Sequence, residues 1–274
     1  MLRTLGLFVT AALIALSGCR SATEINVTAP EPPQSVPESY SIIGRSLDGR
    51  GIECHKLGNG YEHIVFVAGI HGSEPAGVPL SRQLGAVLKA NPELLLNKTI
   101  IIVNNANPDG LAKGQRYNNN GIDLNRNFPA RNHTTKRDRH GERPLSEPES
   151  RALFDLFRSL PRKPSRVITL HQPLVCIDYD GPEDITLPLA EALAEAANLP
   201  VKKLGSRPGS LGSWLGVDQQ IPTITVEFYK SDTQLSDDEL WQRYGDMMLT
   251  AVTYPRKPGP RQVPRSSKRF RTGN

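Results

Sequence analysis

Three apolar runs in this chain end on residues that bind metals or move protons, and that placement constrains the fold more than any other feature. The first, HIVFVA at residues 63–68, is continuous and rich in β-branched residues, as a strand buried on both faces requires. It breaks at Gly69-Ile70-His71-Gly72-Ser73-Glu74-Pro75, where a helix can begin with Pro75 in its first turn. His71 and Glu74 thus sit in a strand-to-helix turn, within reach of one ion. A second run, 166–170, ends at His171, and a third, 223–226, ends at Glu227. Open α/β sheets keep their sites at the carboxyl ends of strands. Taken singly, His171 reads as a hydrogen-bonded core histidine and Glu227 as a salt-bridged strand end. Taken together, the three runs deliver their polar ends to one rim.

Strands and helices alternate around these runs. Residues 41–57 spell a hairpin about Asp48-Gly49, and 98–103 (KTIIIV) is a further buried strand. Helical spacing covers 79–90, 187–198 and 236–252, the last opened by the capping box Ser236-Asp237-Asp238-Glu239. A second capping box, Ser146-Glu147-Pro148-Glu149, predicts a helix running to about residue 160. Residues 104–110 are dense in turn formers and read as a loop, and 205–216 as a glycine-rich loop carrying Trp214. The stretch 111–145 is polar and irregular, long enough to mark a functional loop. The pattern predicts one α/β domain over 40–254, a mixed, mostly parallel twisted sheet with helices on both faces.

Two histidines and one glutamate, with a position left for water, are the ligand set of a catalytic zinc site holding one Zn2+. A peptidase then needs a carboxylate outside the metal shell to move protons, and Glu227 is placed for it. Arg116 can stabilise a developing oxyanion. Asn125 and Arg126 can hold a substrate carboxylate, the guanidinium making a two-pronged contact. His133 and His140 lie in the same polar stretch without a strand to position them, and are expected at the surface. No Gly-x-Ser-x-Gly elbow occurs, so nothing supports a serine hydrolase.

Residues 1–18 read as an export signal: a basic start, an apolar run from Leu5 to Leu16, then small residues. Leu16-Ser17-Gly18-Cys19 resembles a bacterial lipobox, which makes Cys19 the expected lipidation site and residues 19–39, with four prolines, a linker. The protein is then expected on the bacterial envelope, facing the periplasm and tethered to a membrane by its acyl anchor. Cys54 and Cys176 remain, and two thiols can pair in an oxidising compartment. The seven Arg and Lys of the tail, 255–274, exceed the chain's excess of +5, so the rest nets −2. That tail reads as a solvated, disordered end. An exported chain without a recognisable binding module is not expected to bind nucleic acid.

His71-Gly72-Ser73-Glu74, Asn107-Pro108-Asp109-Gly110, the segment Asp123-Leu124-Asn125-Arg126-Asn127-Phe128-Pro129, His171 and Glu227 together resemble the zinc carboxypeptidase family, in its usual order. The resemblance implies that family's fold, with His71, Glu74 and His171 as zinc ligands and Glu227 as general base. It also implies that Arg116 polarises the scissile carbonyl and that Asn125 with Arg126 binds the terminal carboxylate. Gly44-Arg45-Ser46, Leu145-Ser146-Glu147-Pro148-Glu149, His171 to Ile177 and Gly209 to Trp214 resemble the murein peptide amidase branch. That branch cleaves γ-D-glutamyl–diaminopimelate bonds in cell-wall peptides, here the expected substrate and partner. Asp178 and Asp180 are the expected partners of the diaminopimelate amine, and Tyr229 and Tyr179 the tyrosines considered for a lid. The alternatives are a general metallocarboxypeptidase, an aspartoacylase-type zinc deacylase and a non-catalytic peptide-binding lipoprotein.

Overall fold

The computed structural model describes residues 35–255. The export signal, Cys19 and the basic tail lie outside the described residues. Strands β1 (Glu38–Arg45), β2 (Gly51–Leu57), β3 (Glu62–Ala68), β4 (Lys98–Val103), β5 (Arg166–His171), β6 (Cys176–Asp180) and β7 (Thr223–Glu227) form one sheet. Their order is β1-β2-β4-β3-β5-β7-β6. The centre, β4-β3-β5-β7, is parallel, and antiparallel strands close either side. Helices α1 (Gly77–Ala90), α2 (Pro108–Lys113), α3 (Pro148–Ser159), α4 (Glu183–Ala197) and α5 (Asp237–Thr253) complete the domain.

The period-two alternation of the central strands makes two cores. Ile64, Phe66, Ile100, Ile102, Ile168 and Ile224 pack with α1, α4 and α5. Val65, Val67, Ile101, Val103 and Val167 pack with α3, Phe128 and Trp214 on the other face. Each such side chain contributes roughly 1.5–3 kcal/mol by leaving water. The second face carries the site, because the irregular stretch 111–145 folds over it. Asn127 fastens that stretch: its Nδ2 donates to His140 O, Arg143 O and Ser146 Oγ, and its Oδ1 accepts from Glu147 N and Ser150 Oγ.

Several elements depart from the sequence expectation. The helix after the His71 turn begins at Gly77, two residues beyond Pro75. Asn107-Pro108-Asp109-Gly110 opens α2 rather than a plain loop, with Asn107 Oδ1 accepting from Gly110 N at 2.9 Å. The 146–149 capping box does not form. Glu147 is the N-cap without a side-chain bond, because Ser146 Oγ turns to Glu147 Oε1 and Glu149 is taken by Asn118 and Leu47 N. The Ser236 box does form. Helix α4 starts a turn earlier than the apolar spacing indicated, and 205–216 runs into a π-helical turn at Ser213–Asp218.

Strand β6 has no counterpart in the sequence expectation, and it makes Asp178 and Asp180 buried strand residues. Cys54 on β2 and Cys176 on β6 are both buried free thiols. Five strand spacings part them, about 24 Å at 4.8 Å each, against the 7 Å or so that a disulfide can span. They do not pair. His140 is also not at the surface: it is 6% exposed, with Nδ1 3.0 Å from Thr134 O, because the stretch 131–146 folds back over it. Among the described residues no helix is long and apolar enough to cross a membrane.

Candidate active site

The ends of β3, β5 and β7 bring His71, Glu74, His171 and Glu227 together, as the sequence placement requires. His71 Nδ1 lies 2.8 Å from Glu74 Oε1, His171 Nδ1 2.9 Å from Glu74 Oε2, and the two Nδ1 atoms 3.2 Å apart. All three residues are buried and form a group able to hold a metal ion. Ligand atoms about 2.05 Å from a tetrahedral zinc lie about 3.3 Å from one another, so the donor set fits zinc in both chemistry and span.

The turn that carries His71 is held from below. A Cβ on Gly72 would stand 1.9 Å from the backbone carbon of Gly110, so the His71 turn and α2 touch backbone to backbone. Only glycine permits this approach. The two motifs, His71 to Glu74 and Asn107 to Gly110, are therefore halves of one packing contact.

Asp123 is a site residue that motif reading did not single out, although it heads the segment containing Asn125 and Arg126. Its Oδ1 lies 3.0 Å from His71 Nε2, and its Oδ2 accepts from Arg116 Nη2 at 3.2 Å. Such a carboxylate fixes the ring's tautomer and leaves Nδ1 free for a metal. Burial opposes charge on His71, but Asp123 and Glu74 outweigh it and hold its pKa above the ordinary value. Burial would raise Glu74 and Asp123, yet their histidine partners hold both far below the usual carboxylate range.

Arg116 donates from Nη1 to Glu74 at 2.8 Å and faces the cavity. Asn125 Oδ1 accepts from Leu211 N at 2.9 Å, which aims Nδ2 away from that backbone. Arg126 lines the same cavity and is buried enough that its pKa falls. Burial raises Glu227, with His171 opposing and Leu174 N donating to Oε2 at 3.2 Å. A raised carboxyl pKa suits a group that must both take and return a proton. The cavity these groups line encloses about 330 Å³.

Neither tyrosine considered for a lid reaches it. Tyr179 points to the opposite face of β6 and packs in the α4 core, as strand alternation demands. Tyr229, 42% exposed, lines a separate groove with Arg243. Gln172 is a second residue the sequence reading passed over. It ties the site to its surroundings, accepting from Ala76 N and donating to Tyr229 O.

The model of the zinc carboxypeptidase family, Peptidase_M14, matches residues 31–243. The chain belongs to that family, and is accordingly a zinc metallopeptidase by class. Within it, the chain is 35% identical over 240 residues to Murein peptide amidase A of Escherichia coli strain K12, covering 80% of this chain and 92% of that one. It also resembles the crystal structure of murein-tripeptide amidase MpaA from Escherichia coli O157. That likeness has a TM-score of 0.63 and 32% identity over 82% of this chain and 96% of the other. Carboxypeptidase A of Helicoverpa armigera, at TM-score 0.66 and 18% identity over 80% and 69% of the two chains, shows the shared fold alone.

Proposed function

We propose that this protein hydrolyses the γ-D-glutamyl–meso-diaminopimelate bond of cell-wall peptides. The observation that carries the reading is one cavity lined by the metal-binding triad, Glu227 and the Asn125–Arg126 pair. The kinship with murein peptide amidases over four-fifths of the chain supports the substrate class. Held by His71, Glu74 and His171, zinc would supply Lewis acidity and acidify a water.

The chain's own residues do the rest. Asn125 and Arg126 receive the free carboxylate of the leaving residue and set the scissile bond beside Glu227. Arg116 faces the carbonyl oxygen where negative charge develops. Glu227 takes a proton from the attacking water and passes it to the leaving nitrogen as the C–N bond breaks. Water is consumed, an acid and an amine are released, and no covalent acyl-enzyme forms.

The test incubates the zinc-loaded protein with L-Ala-γ-D-Glu-meso-diaminopimelate, benzoylglycyl-lysine and N-acetylaspartate, and identifies products by mass spectrometry. Free diaminopimelate with L-Ala-D-Glu is expected. Lysine release without diaminopimelate would replace the reading with a general carboxypeptidase, acetate with a deacylase, and no product with a binding protein.

The export pattern of residues 1–18 and the lipobox at Cys19 support an envelope location, lipid-anchored and facing the periplasm. Palmitate labelling in cells tests this. Wild type should carry label in the membrane fraction and Cys19→Ser should not, and an unlabelled cytoplasmic wild type would remove the proposal.

A further inference from the structure

Behind Glu227 the cavity continues along the face of the sheet. Its floor is a row of register partners, Thr169 on β5, Thr225 on β7 and Asp178 on β6. Thr169 Oγ1 lies 3.1 Å from Thr225 Oγ1, which fixes the row. Asp180 follows on the same face of β6, two residues further along. The 204–212 segment closes over them, with Leu204 N donating to Asp178 Oδ1 at 2.9 Å and Ser206 Oγ to Asp180 Oδ1 at 2.8 Å. Arg207 lines the same cavity.

Asp178 is 7% exposed, yet among the described residues no Lys, Arg or His forms an ion pair with it. Buried carboxylates are ordinarily paired with a cation, because an isolated one is costly to remove from water. The surroundings make matters worse, since the nearby charges of Asp180 and Glu227 are also negative. Asp180 differs. It feels the charge of Lys203, and its carboxylate is pressed against Gly212, where a Cβ would stand 2.3 Å from Oδ2. Asp178 lies two residues along β6 from the level of Glu227, so a substrate side chain that follows this floor brings its end to the carboxylate. Arg207, carried by the segment that closes over this floor, faces the same cavity and supplies a cation for an anion.

We propose that Asp178 binds the ammonium, and Arg207 the carboxylate, of a zwitterionic head group ending the leaving residue's side chain. This pair then selects diaminopimelate over other carboxyl-terminal residues. The assignment rests on the peptidase reading above, but not on the γ-glutamyl linkage.

The test compares three L-Ala-γ-D-Glu peptides with the zinc-loaded full chain. They end in meso-diaminopimelate, in L-lysine (amine without the second carboxylate) or in L-2-aminopimelate (carboxylate without the amine). Wild type should favour diaminopimelate over 2-aminopimelate by about 100-fold in kcat/KM, the scale of a severed buried charge pair. Equal turnover of those two overturns the proposal without any variant. Asp178→Asn should lower kcat/KM about 100-fold for the diaminopimelate and lysine peptides, and less than about threefold for 2-aminopimelate. Arg207→Gln should weaken the two peptides that keep the side-chain carboxylate more than the lysine peptide. A loss that is the same for all three peptides in Asp178→Asn would mean a structural role and overturns the assignment.

If no γ-glutamyl peptide is cut but benzoylglycyl-lysine is, the cell-wall reading fails while the pocket is still decided. A 100-fold loss in Asp178→Asn on benzoylglycyl-lysine supports it, and an unchanged rate overturns it. If nothing is cut, calorimetry with free meso-diaminopimelate against 2-aminopimelate decides, equal Kd values overturning it.

Discussion

His171 and Glu227 are register partners on the last rung of the parallel β5–β7 ladder. Neighbouring strands hold them side by side on one face, with Phe228 N donating to His171 O at 2.9 Å just beyond. The ring placed to hold a metal and the carboxyl proposed to move the proton thus share a rigid support, and a slip of one residue would send Glu227 to the opposite face.

That arrangement separates the duties of the two residues. Glu227→Gln should lower kcat about a thousandfold while zinc stays bound, checked by steady-state rates beside metal analysis. His171→Ala should lose the metal itself. Near-normal turnover in Glu227→Gln, or full metal occupancy in His171→Ala, would sink the respective role.

Asp123 offers a cleaner probe of the support around the metal. Asp123→Asn keeps the shape but removes the charge facing His71 Nε2 and Arg116. Zinc affinity should fall roughly 10- to 100-fold, measured by competition with a chromogenic chelator. Unchanged affinity would make Asp123 a purely structural residue.

Gly72→Ala tests the contact beneath the ligand turn. The new methyl meets the Gly110 backbone at 1.9 Å, where no flexible side chain can yield. Unfolding in urea should show a loss of about 3 kcal/mol or more, with weakened zinc binding. A loss below about 1 kcal/mol would show that the two backbones can part freely.

Asp178 predicts an inverse pH effect. Burial pushes its pKa from 3.8 up to about 6, opposed by the Leu204 N–H and reinforced by Asp180. Between those values the folded state holds more protons than the unfolded chain, so this group makes stability fall as pH rises. Asp178→Asn removes the slope. The variant should match wild type near pH 4 and be more stable by about 2 kcal/mol at pH 7.5, read from thermal unfolding across pH. A variant less stable at pH 7.5 would contradict the buried-charge account. Stability gained where selectivity is lost is the usual sign of a binding residue.

The sequence by itself determined the central sheet and which candidate groups meet at its rim. Short continuous apolar runs rich in β-branched residues and bounded by turn formers read as strands buried on both faces, and such strands present their terminal residues at one rim, so the placement of His71, Glu74, His171 and Glu227 followed from local pattern. What local pattern could not supply was partnership across long separations. Asp123 looks like any acid in a polar loop until the 111–145 stretch folds over the sheet and sets it against His71, 52 residues away. The 146–149 box failed for the same reason, since its glutamates found partners in Asn118 and Leu47 that no four-residue window contains. Strand β6 is five residues long and carries two aspartates, so its propensity argues against it, and it forms because β7 offers a free edge to pair with. Tertiary structure alone decided that Asp178 is buried, because hydrogen bonding to β7 and burial in a shared cavity outweigh the preference of a carboxylate for water.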